Sequence, residues 1–584
     1  MTHPKYIAVV ILAVAVSVGS TAPLAAQEAG DDYTFFDTLD IEVVNVDVIV
    51  VGPDGEPVRD LARDDFVLTE DGKPIEITNF YAVDEEPAEG APEATAGEET
   101  TVQVQQPRPA DQNLHLAVFV DGTTLEPINR KRVFDAVREF FDQGGGRAAS
   151  LTLATWDGSL EVTPLGKVDP EEIDVHLGAL EEAATRGAME AMTRRGILGQ
   201  LDRASLDPEI AESEAESVLG AIQAFAGQQY TEALQSTRAL EGFVEALAGM
   251  PGRKALLYIS GGLPRNPGEA LYYAWENKFS DYIRGLGVNV TQESRKFDTT
   301  PELNRLIRHA NANRVTFYSL GAGRGGQAGG PVSAEDGSFD PAAMGTAGGG
   351  RNWSAGLTSI DNANSGGTLQ ELAAATGGLS MTNSRNFGKL LADMNRDLGS
   401  YYSLGYTPDR ERDGENHRIE VSVKGRGYKV RHRDHYRERT REEVMNGRTR
   451  SALLLGSKEN PLEVAMEFGP QEPGEKDHLR VPVMVKVPLG KLVLLPQENV
   501  HVGRIGIFIC ARDGKGRSSP VQSVDVPIRI PNDQLLTALG QVAGYRMTLM
   551  IRPEEHSVAV GVRDELGRVE STVTDLWRPA PPAG

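Results

Sequence analysis

Cysteine, positive charge and long hydrophobic runs are all scarce in this chain of 584 residues. The single cysteine, Cys510, excludes a disulfide framework within the chain. Acidic residues outnumber basic ones by 84 to 59, and the formal net charge is −25. Because phosphates would repel such a chain, this balance argues against nucleic acid and anionic membrane surfaces as partners. After the first residues, no apolar run is long enough to span a membrane.

The first residues have the pattern of an export signal. Lys5 supplies a positive start, the apolar run Ile7–Val18 has the length of a signal-peptide core, and small residues follow as far as Ala26. We therefore predict a signal peptide over residues 1–26 and no membrane span after its removal. An uncleaved N-terminal anchor is the alternative. The mature chain is expected to be exported, to the periplasm or the outside of the cell.

A small β domain is predicted for residues 27–84. Residues 41–51 are rich in β-branched side chains and partly alternate, which favours a strand, and Asp71-Gly72 is typical of a tight turn between two more strands. Residues 85–112 contain mainly Glu, Pro, Ala, Thr and Gln. This composition predicts a disordered acidic linker.

Residues 113–400 alternate between strand and helix patterns. Buried strands are expected at 115–120, 254–260 and 314–320, with a hairpin at 149–165. We predict a helical insert at 186–250, with breaks near Pro208 and Gly227, and a flexible Gly-rich insert at 321–367. Strands separated by helices predict an α/β domain with a largely parallel sheet and helices on both faces.

The C-terminal third has mostly β patterns. Residues 401–436 are predicted to be a β extension. Residues 437–460 are highly charged and are assigned as a linker, with a helix as the alternative. Residues 461–584 contain many short alternating runs separated by turns, which indicates a domain resembling a β-sandwich.

Four stretches together carry a resemblance to a known family. They are Val46–Phe80, Val118–Thr124, Pro251–Gly262 and Tyr401–Pro408. In this order, over residues 40–436, the chain resembles the VWFA-related exported bacterial proteins of the acidobacterial type. The resemblance implies a doubly wound, Rossmann-like von Willebrand factor type A domain. It also implies binding of protein partners, often through a metal at the strand tips.

The resemblance also implies where a metal would lie. In type A domains an Asp-x-Ser-x-Ser run, a Thr from a second loop and a later Asp hold Mg²⁺ or Mn²⁺, which prefer such oxygen ligands. Asp121 matches the acid, Thr123 the first hydroxyl and Thr231 the second-loop Thr. Leu125 and Gly261 replace the second hydroxyl and the later Asp. We therefore expect a degenerate site, in which Asp121 caps a turn and Thr123 bonds to the loop backbone.

No pattern for catalysis is present in the sequence. Ser260 lacks the Gly-x-Ser-x-Gly environment of a nucleophile elbow, and no Ser, His and Asp spacing indicates a triad. We expect an exported, non-enzymatic adhesion-type protein without a cofactor, which binds a protein or cell-envelope partner at the strand tips. One alternative is metal-dependent adhesion with a retained Mg²⁺ or Mn²⁺ site. Another is a structural cell-envelope component. The oligomeric state stays open.

Overall fold

The computed structural model describes most of the chain. Its ranges are residues 43–84, 113–146, 150–182, 187–282, 287–322, 353–382, 386–408, 414–425, 427–457, 459–475 and 478–580. The predicted signal peptide (1–26), the predicted linker (85–112) and most of the Gly-rich insert lie outside these residues. No helix in the described ranges has the length and apolar character needed to cross a membrane.

The N-terminal part forms four strands. They are β1 (Val44–Val51), β2 (Phe66–Glu70), β3 (Lys73–Ile75) and β4 (Asn79–Asp84). Asp71 and Gly72 both have positive φ, 51° and 76°, which permits the tight turn between β2 and β3. The alternation in β1 buries Val44, Val46 and Val48 on one face of the strand.

A six-stranded sheet forms the centre of the molecule. Its strands are β5 (Leu114–Asp121), β6 (Ser150–Trp156), β7 (Leu160–Lys167), β8 (Arg253–Ser260), β9 (Val315–Gly321) and β10 (Ser380–Thr382). The order is β10-β9-β8-β5-β6-β7, and β7 alone runs antiparallel to its neighbour in this sheet. All eight residues of β8 are buried, because the sheet is covered on both faces.

Helices form the two covering layers. They are α1 (Pro127–Asp142), α2 (Pro170–Glu182), α3 (Gly187–Arg203), α4 (Ala211–Ala248), α5 (Glu269–Phe279), α6 (Val290–Ser294), α7 (Thr300–Ala312), α8 (Trp353–Ala375) and α9 (Phe387–Gly399). On β5, Val118 packs into a core shared with α1 and α9, whereas Phe119 packs into one shared with α4 and α7. The prediction of a mixed α/β protein is confirmed.

Two helix predictions need correction. α4 continues through Gly227, where a break was expected, because both halves of this helix bury one apolar stripe against neighbouring elements. Residues 353–367, assigned to the flexible Gly-rich insert, belong to α8. Leu357, Ile360 and Leu369 are buried on α8, so tertiary packing outweighs the poor helix propensity of its glycines.

The division into an N-terminal β domain and a β extension is also corrected. Residues 400–436 form β11 (Ser400–Tyr406), β12 (His417–Val423), β13 (Lys429–Arg431) and β14 (His435–Tyr436). These strands pair with the first four, in the orders β13-β1-β11-β4 and β14-β12-β2-β3. Both segments contribute to one core, for example through Val46 and Leu404. They therefore form a single β unit whose two halves flank the central domain in sequence.

The predicted linker at 437–460 contains a buried helix, α10 (Arg441–Leu455). The hydroxyl of Thr440 accepts from the Glu443 N–H at 3.1 Å, and the Glu443 carboxylate accepts from the Thr440 N–H at 2.9 Å. This capping box starts the helix. A Cβ on Gly249 would lie 2.5 Å from the Gly447 carbonyl oxygen, so α10 lies directly against the end of α4. The many charged residues of this segment led to the prediction of an exposed linker.

The C-terminal part consists of antiparallel sheets. Its elements are β15 (Ala465–Phe468), β16 (Glu472–Pro473), β17 (Leu479–Pro488), β18 (Leu495–Gln497), β19 (Val500–Asp513), β20 (Gln522–Pro531), α11 (Leu535–Ala538), β21 (Val542–Ile551), β22 (His556–Asp564) and β23 (Glu570–Trp577). β15, β16, β17 and β21 form one sheet, and the other five strands form the second. Residues from both sheets, such as Val483 and Ile507, share one apolar core.

Candidate functional site at the strand tips

Asp121 ends β5 with a carboxylate that has no exposed surface. One oxygen, Oδ1, accepts from the Thr123 N–H at 3.1 Å and from the Thr123 hydroxyl at 2.5 Å. The other, Oδ2, accepts from the Ser236 hydroxyl at 2.7 Å and from the Tyr258 hydroxyl at 3.4 Å. Four donors from three segments of the chain therefore occupy both oxygens.

Burial dominates the ionisation of this group. It raises the pKa of Asp121 above the ordinary value, although the bonds from Thr123, Ser236 and Tyr258 act in the opposite direction. Burial, together with the charge of Asp121, also holds the pKa of Tyr258 well above its ordinary value. The tyrosine hydroxyl therefore keeps its proton and remains a donor to the carboxylate.

The Thr123 hydroxyl bonds to the Asp121 carboxylate and not, as expected, to the loop backbone, and Thr231 does not lie beside Asp121. Thr231 is exposed on α4, and its hydroxyl donates to the Gly227 carbonyl of the same helix at 2.9 Å. Ser236 supplies the hydroxyl from α4 instead. It belongs to the buried stripe that contains Ala233 and Leu240, so helical periodicity was the signal that could have identified it.

Leu125 and Gly261 have structural roles at the tip. Leu125 is fully buried in the core beneath α1. A Cβ on Gly261 would lie 2.1 Å from the Thr124 carbonyl oxygen, so an aspartate cannot stand there in this loop conformation. The Thr124 hydroxyl accepts from the Gly261 N–H at 2.8 Å and lies 3.1 Å from the Ser260 hydroxyl. These contacts connect the tips of β5 and β8 directly.

This arrangement does not fit Mg²⁺ or Mn²⁺. Such ions need several oxygen ligands with negative charge and some access to solvent, whereas one covered carboxylate with both oxygens occupied is present here.

A group of three potential metal ligands, Glu70, Asp71 and His417, lies in the N-terminal β unit instead. Nδ1 of His417 is 2.8 Å from Oδ2 of Asp71, whose other oxygen accepts from the backbone N–H of residue 418. We interpret this group as a structural contact that holds β12 against the β2–β3 turn.

Helices cover the tip from two directions. A Cβ on Gly187, the first residue of α3, would lie 2.8 Å from the Leu125 carbonyl oxygen. Gly262 has a φ of 123°, and a Cβ there would lie 2.6 Å from the Cβ of Ser365 in α8. Only glycine permits these close approaches. The helix α4 contacts Asp121 through Ser236, and the helices α3 and α8 shape the surface around the strand tips.

A cavity of about 90 Å³ lies beside the covered carboxylate, between the β5 and β8 tips and these helices. Its charged lining residues are Glu126, Glu190, Arg194, Glu232 and Asp361. Arg194 forms an ion pair with Asp361. The side-chain amide of Gln229 donates to Glu190 at 2.5 Å. The lining thus has four carboxyl groups and one guanidinium.

Comparisons with known proteins identify no family for this chain. No family model matches it, and no curated protein is similar to it in sequence. Among solved structures, an aerotolerance-related membrane protein from Bacteroides fragilis with multiple mutations to serines is 11% identical. That match covers 49% of this chain and 98% of the other, with a TM-score of 0.21. Proximal thread matrix protein 1 from the mussel byssus is also 11% identical, over 50% of this chain and 48% of the other, with a TM-score of 0.19. Neither score is high enough to support an argument about fold or function.

Proposed function

We propose that this chain is an exported, non-enzymatic binding protein that docks a protein or cell-envelope partner at its strand tips without a metal ion. The docking domain in this proposal is of the von Willebrand factor type A kind. Supporting it, the order β7-β6-β5-β8-β9-β10 is the 3-2-1-4-5-6 order of doubly wound sheets. The hairpin strand β7 and the helices on both faces agree with the same assignment.

The position of the acid-lined cavity is the observation that carries the proposal. In open α/β sheets, ligands bind at the carboxyl ends of the strands, where the strand order reverses. In this sheet that point lies between β5 and β8, and the cavity is lined there by Thr124 and Gly261. A partner would therefore meet the cavity and the loops around it, while Asp121 stays covered.

Size and charge narrow the class of partner. The cavity is much smaller than the roughly 300–1,000 Å³ of sites that enclose small-molecule ligands. It has room for one side chain of a larger partner. Four carboxyl groups against one guanidinium favour a cation, so we propose that the partner inserts a lysine or arginine side chain.

The lining also supports a non-enzymatic role. Among the described residues that line the cavity there is no histidine, cysteine or lysine. The Ser260 hydroxyl accepts from the Gly262 N–H at 3.0 Å and lies against Thr124, so no general base activates it.

A displayed library of random peptides would test the docking proposal. The wild-type protein should enrich peptides that contain lysine or arginine, and the enrichment should fall as salt is added. Glu232→Lys, which reverses one charge in the cavity, should abolish it. Glu420→Lys, at a half-exposed position on β12, provides the matched control and should leave it intact. Equal enrichment by both variants would place the binding surface elsewhere.

Metal-dependent adhesion remains a second candidate because Thr123 and Ser236 place two hydroxyls beside Asp121. A divalent ion there would have to displace the bonds between these hydroxyls and the carboxylate. Calorimetry with Mn²⁺ separates the two proposals. We expect no binding heat at millimolar Mn²⁺, whereas heat that disappears in Asp121→Asn would support the metal-dependent candidate instead.

A further inference from the structure

A second, smaller cavity lies at the opposite end of the central strands, where β8 and β9 begin. Its volume is about 20 Å³. Its polar lining includes Asp47 from β1, Arg253 at the start of β8, Asn311 from α7, Arg314 just before β9, and Arg433. It therefore lies where the N-terminal β unit meets the central domain, far along the strands from the proposed docking cavity.

Positive charge is in excess around this cavity. Three guanidinium groups face one carboxylate, and that carboxylate, on Asp47, is already engaged by Arg314 at 3.2 and 3.3 Å. Burial alone would raise the pKa of Asp47, but Arg314, Arg253 and Arg433 hold it below its ordinary value, so the group is ionised. After this pair is formed, no second carboxylate among the lining residues is left for Arg253 and Arg433, and only Asp397, outside the lining, adds to the effect of Asp47 on Arg253. Uncompensated buried charge is costly, by several kcal/mol.

Arg253 and Arg433 bond to backbone carbonyls and have no carboxylate from this cavity as a partner. Arg253 donates to the carbonyl of residue 397 at 3.1 Å and is only 1% exposed. Arg433 donates to the carbonyls of residues 311 and 45 at 2.7 and 2.8 Å and is 8% exposed. Burial lowers the pKa of Arg433 to about 10. Carbonyl groups satisfy these donors but do not neutralise their charge.

Several buried atoms at this cavity also lack a hydrogen-bond partner among the described residues. They are the Nε atoms of Arg253, Arg314 and Arg433, and Oδ1 of Asn311. Three are donors and one is an acceptor. A bound species that accepts more hydrogen bonds than it donates therefore complements this set best, and negative charge would also offset the excess of guanidinium groups.

We propose that this cavity is a structural anion site that holds one chloride ion. The volume exceeds the roughly 10–15 Å³ that a single water-sized sphere requires, but it is too small for an oxyanion such as sulfate. The ion would contact guanidinium groups from β8, from the residue before β9 and from the segment before β14. It would thereby fasten the N-terminal β unit to the central sheet.

Thermal unfolding at constant ionic strength tests the site, with chloride replacing gluconate. A ligand that binds only the folded state raises its stability as concentration increases. The unfolding temperature should rise with the logarithm of chloride concentration, with a slope equivalent to one ion released on unfolding. Bromide should act in the same way, and sulfate should not. An unfolding temperature independent of chloride would overturn the proposal.

Two further measurements keep the test decisive. Arg433→Gln should abolish the chloride dependence, whereas Arg418→Gln, at an exposed arginine, should retain it. If Arg433→Gln does not fold, bromide-soaked crystals of the wild-type protein give a direct answer. An anomalous peak between Arg253 and Arg433 would support the site. A peak elsewhere, or only a water molecule in this cavity, would refute it.

Discussion

The carboxylate of Asp121 shows how a single residue can join several segments. Its oxygens accept from the loop after β5, from α4 and from β8, and no solvent reaches it. Hydrogen bonds to a charged group are worth about 1.5–3 kcal/mol each, and an unsatisfied buried group is costly. We conclude that Asp121 positions the helix α4 on the sheet.

The raised pKa of Asp121 gives a prediction with a definite sign. Because the folded state holds this proton more tightly than the unfolded state, the stabilisation is complete below the unfolded pKa, 3.8, and is lost as pH rises through the folded pKa. Asp121→Asn has no such titration. The difference in unfolding free energy, wild type minus Asp121→Asn, should therefore fall as pH rises from about 3.8 towards neutrality.

Denaturant titrations of both proteins at several pH values measure this difference. Asp533→Asn, at an exposed position, controls for the change in net charge. A difference that grows with pH would show that the folded protein prefers the ionised carboxylate. That result would contradict the dominance of burial at Asp121.

At this scale the sequence predicts only part of the site. Asp121 and Thr123 were identifiable because they follow an apolar strand directly. Helical periodicity could place Ser236 on the buried face of α4, but it could not assign Ser236 to this site, and Tyr258 resembles an ordinary core position in a strand. Their contacts with Asp121 depend on how α4 lies on the sheet, which no local pattern specifies.

Among the helices, α4 and its C-cap contain glycines in contrasting environments. A Cβ on Gly220 would meet nothing within 4 Å, whereas a Cβ on Gly249, at the end of the helix, would lie 2.5 Å from both the Gly447 carbonyl and the Ser451 Cβ. Gly220→Ala should stabilise the protein by about 0.5–1 kcal/mol, because alanine restricts the unfolded chain and favours helix. Gly249→Ala should destabilise it by about 1–3 kcal/mol, because α10 would have to shift.

Chemical unfolding of the two variants measures both effects against the wild type. They introduce the same methyl group near the two ends of one helix, so each serves as the control for the other. Destabilisation by Gly220→Ala would indicate a contact on the outer face of α4. A neutral Gly249→Ala would show that α4 and α10 are not closely packed.

Elements with uniform apolar patterns were predictable, and those stabilised by distant contacts were not. The strand predicted at 254–260 is confirmed as β8. It was predictable because all its residues are buried, which gives it a continuous apolar run. The helix α10 was assigned as a linker because charged residues dominate its sequence. It is buried between α4 and the C-terminal strands, and that environment depends on sequence far away in both directions.

In the whole molecule, one apolar core joins the central and C-terminal parts. It includes Phe243 of α4, Leu453 of α10 and Cys510 of β19. Cys510 is 1% exposed, its Sγ lies 4.0 Å from the Thr449 carbonyl oxygen, and burial raises the pKa of its thiol to about 12. The thiol is therefore both inaccessible and protonated. Its reactivity would indicate whether the packing around α10, between the central and C-terminal parts, has opened.

This burial predicts the behaviour of the thiol towards labelling reagents. In the folded protein at pH 8, Cys510 should not react, because the thiolate is the reactive form and little of it is present. Gly249→Ala should increase the labelling rate several-fold by loosening α10, whereas Gly220→Ala should leave it unchanged or slower. Rapid labelling of the native wild-type protein would contradict a closed junction.

The pairing between distant segments was the least predictable part of the whole fold. Residues 41–51 read as a strand, yet nothing in their pattern indicates a partner at 400–406. Turn residues specify hairpins between neighbouring strands, whereas pairing across a whole domain leaves no local signal. The N-terminal strands and the later β extension were therefore assigned to separate domains.

The split β unit restricts the order in which the chain can fold during synthesis. The backbone N–H of Leu61 bonds to the hydroxyl of Tyr402, 341 positions later, so it has no partner until most of the protein has been synthesised. During that interval β1 exposes its valines and both of its edges to solvent and to other nascent chains. Among the described strands β1 is synthesised first, yet it can complete its pairing only once residues 402–406 and 429–431 are present.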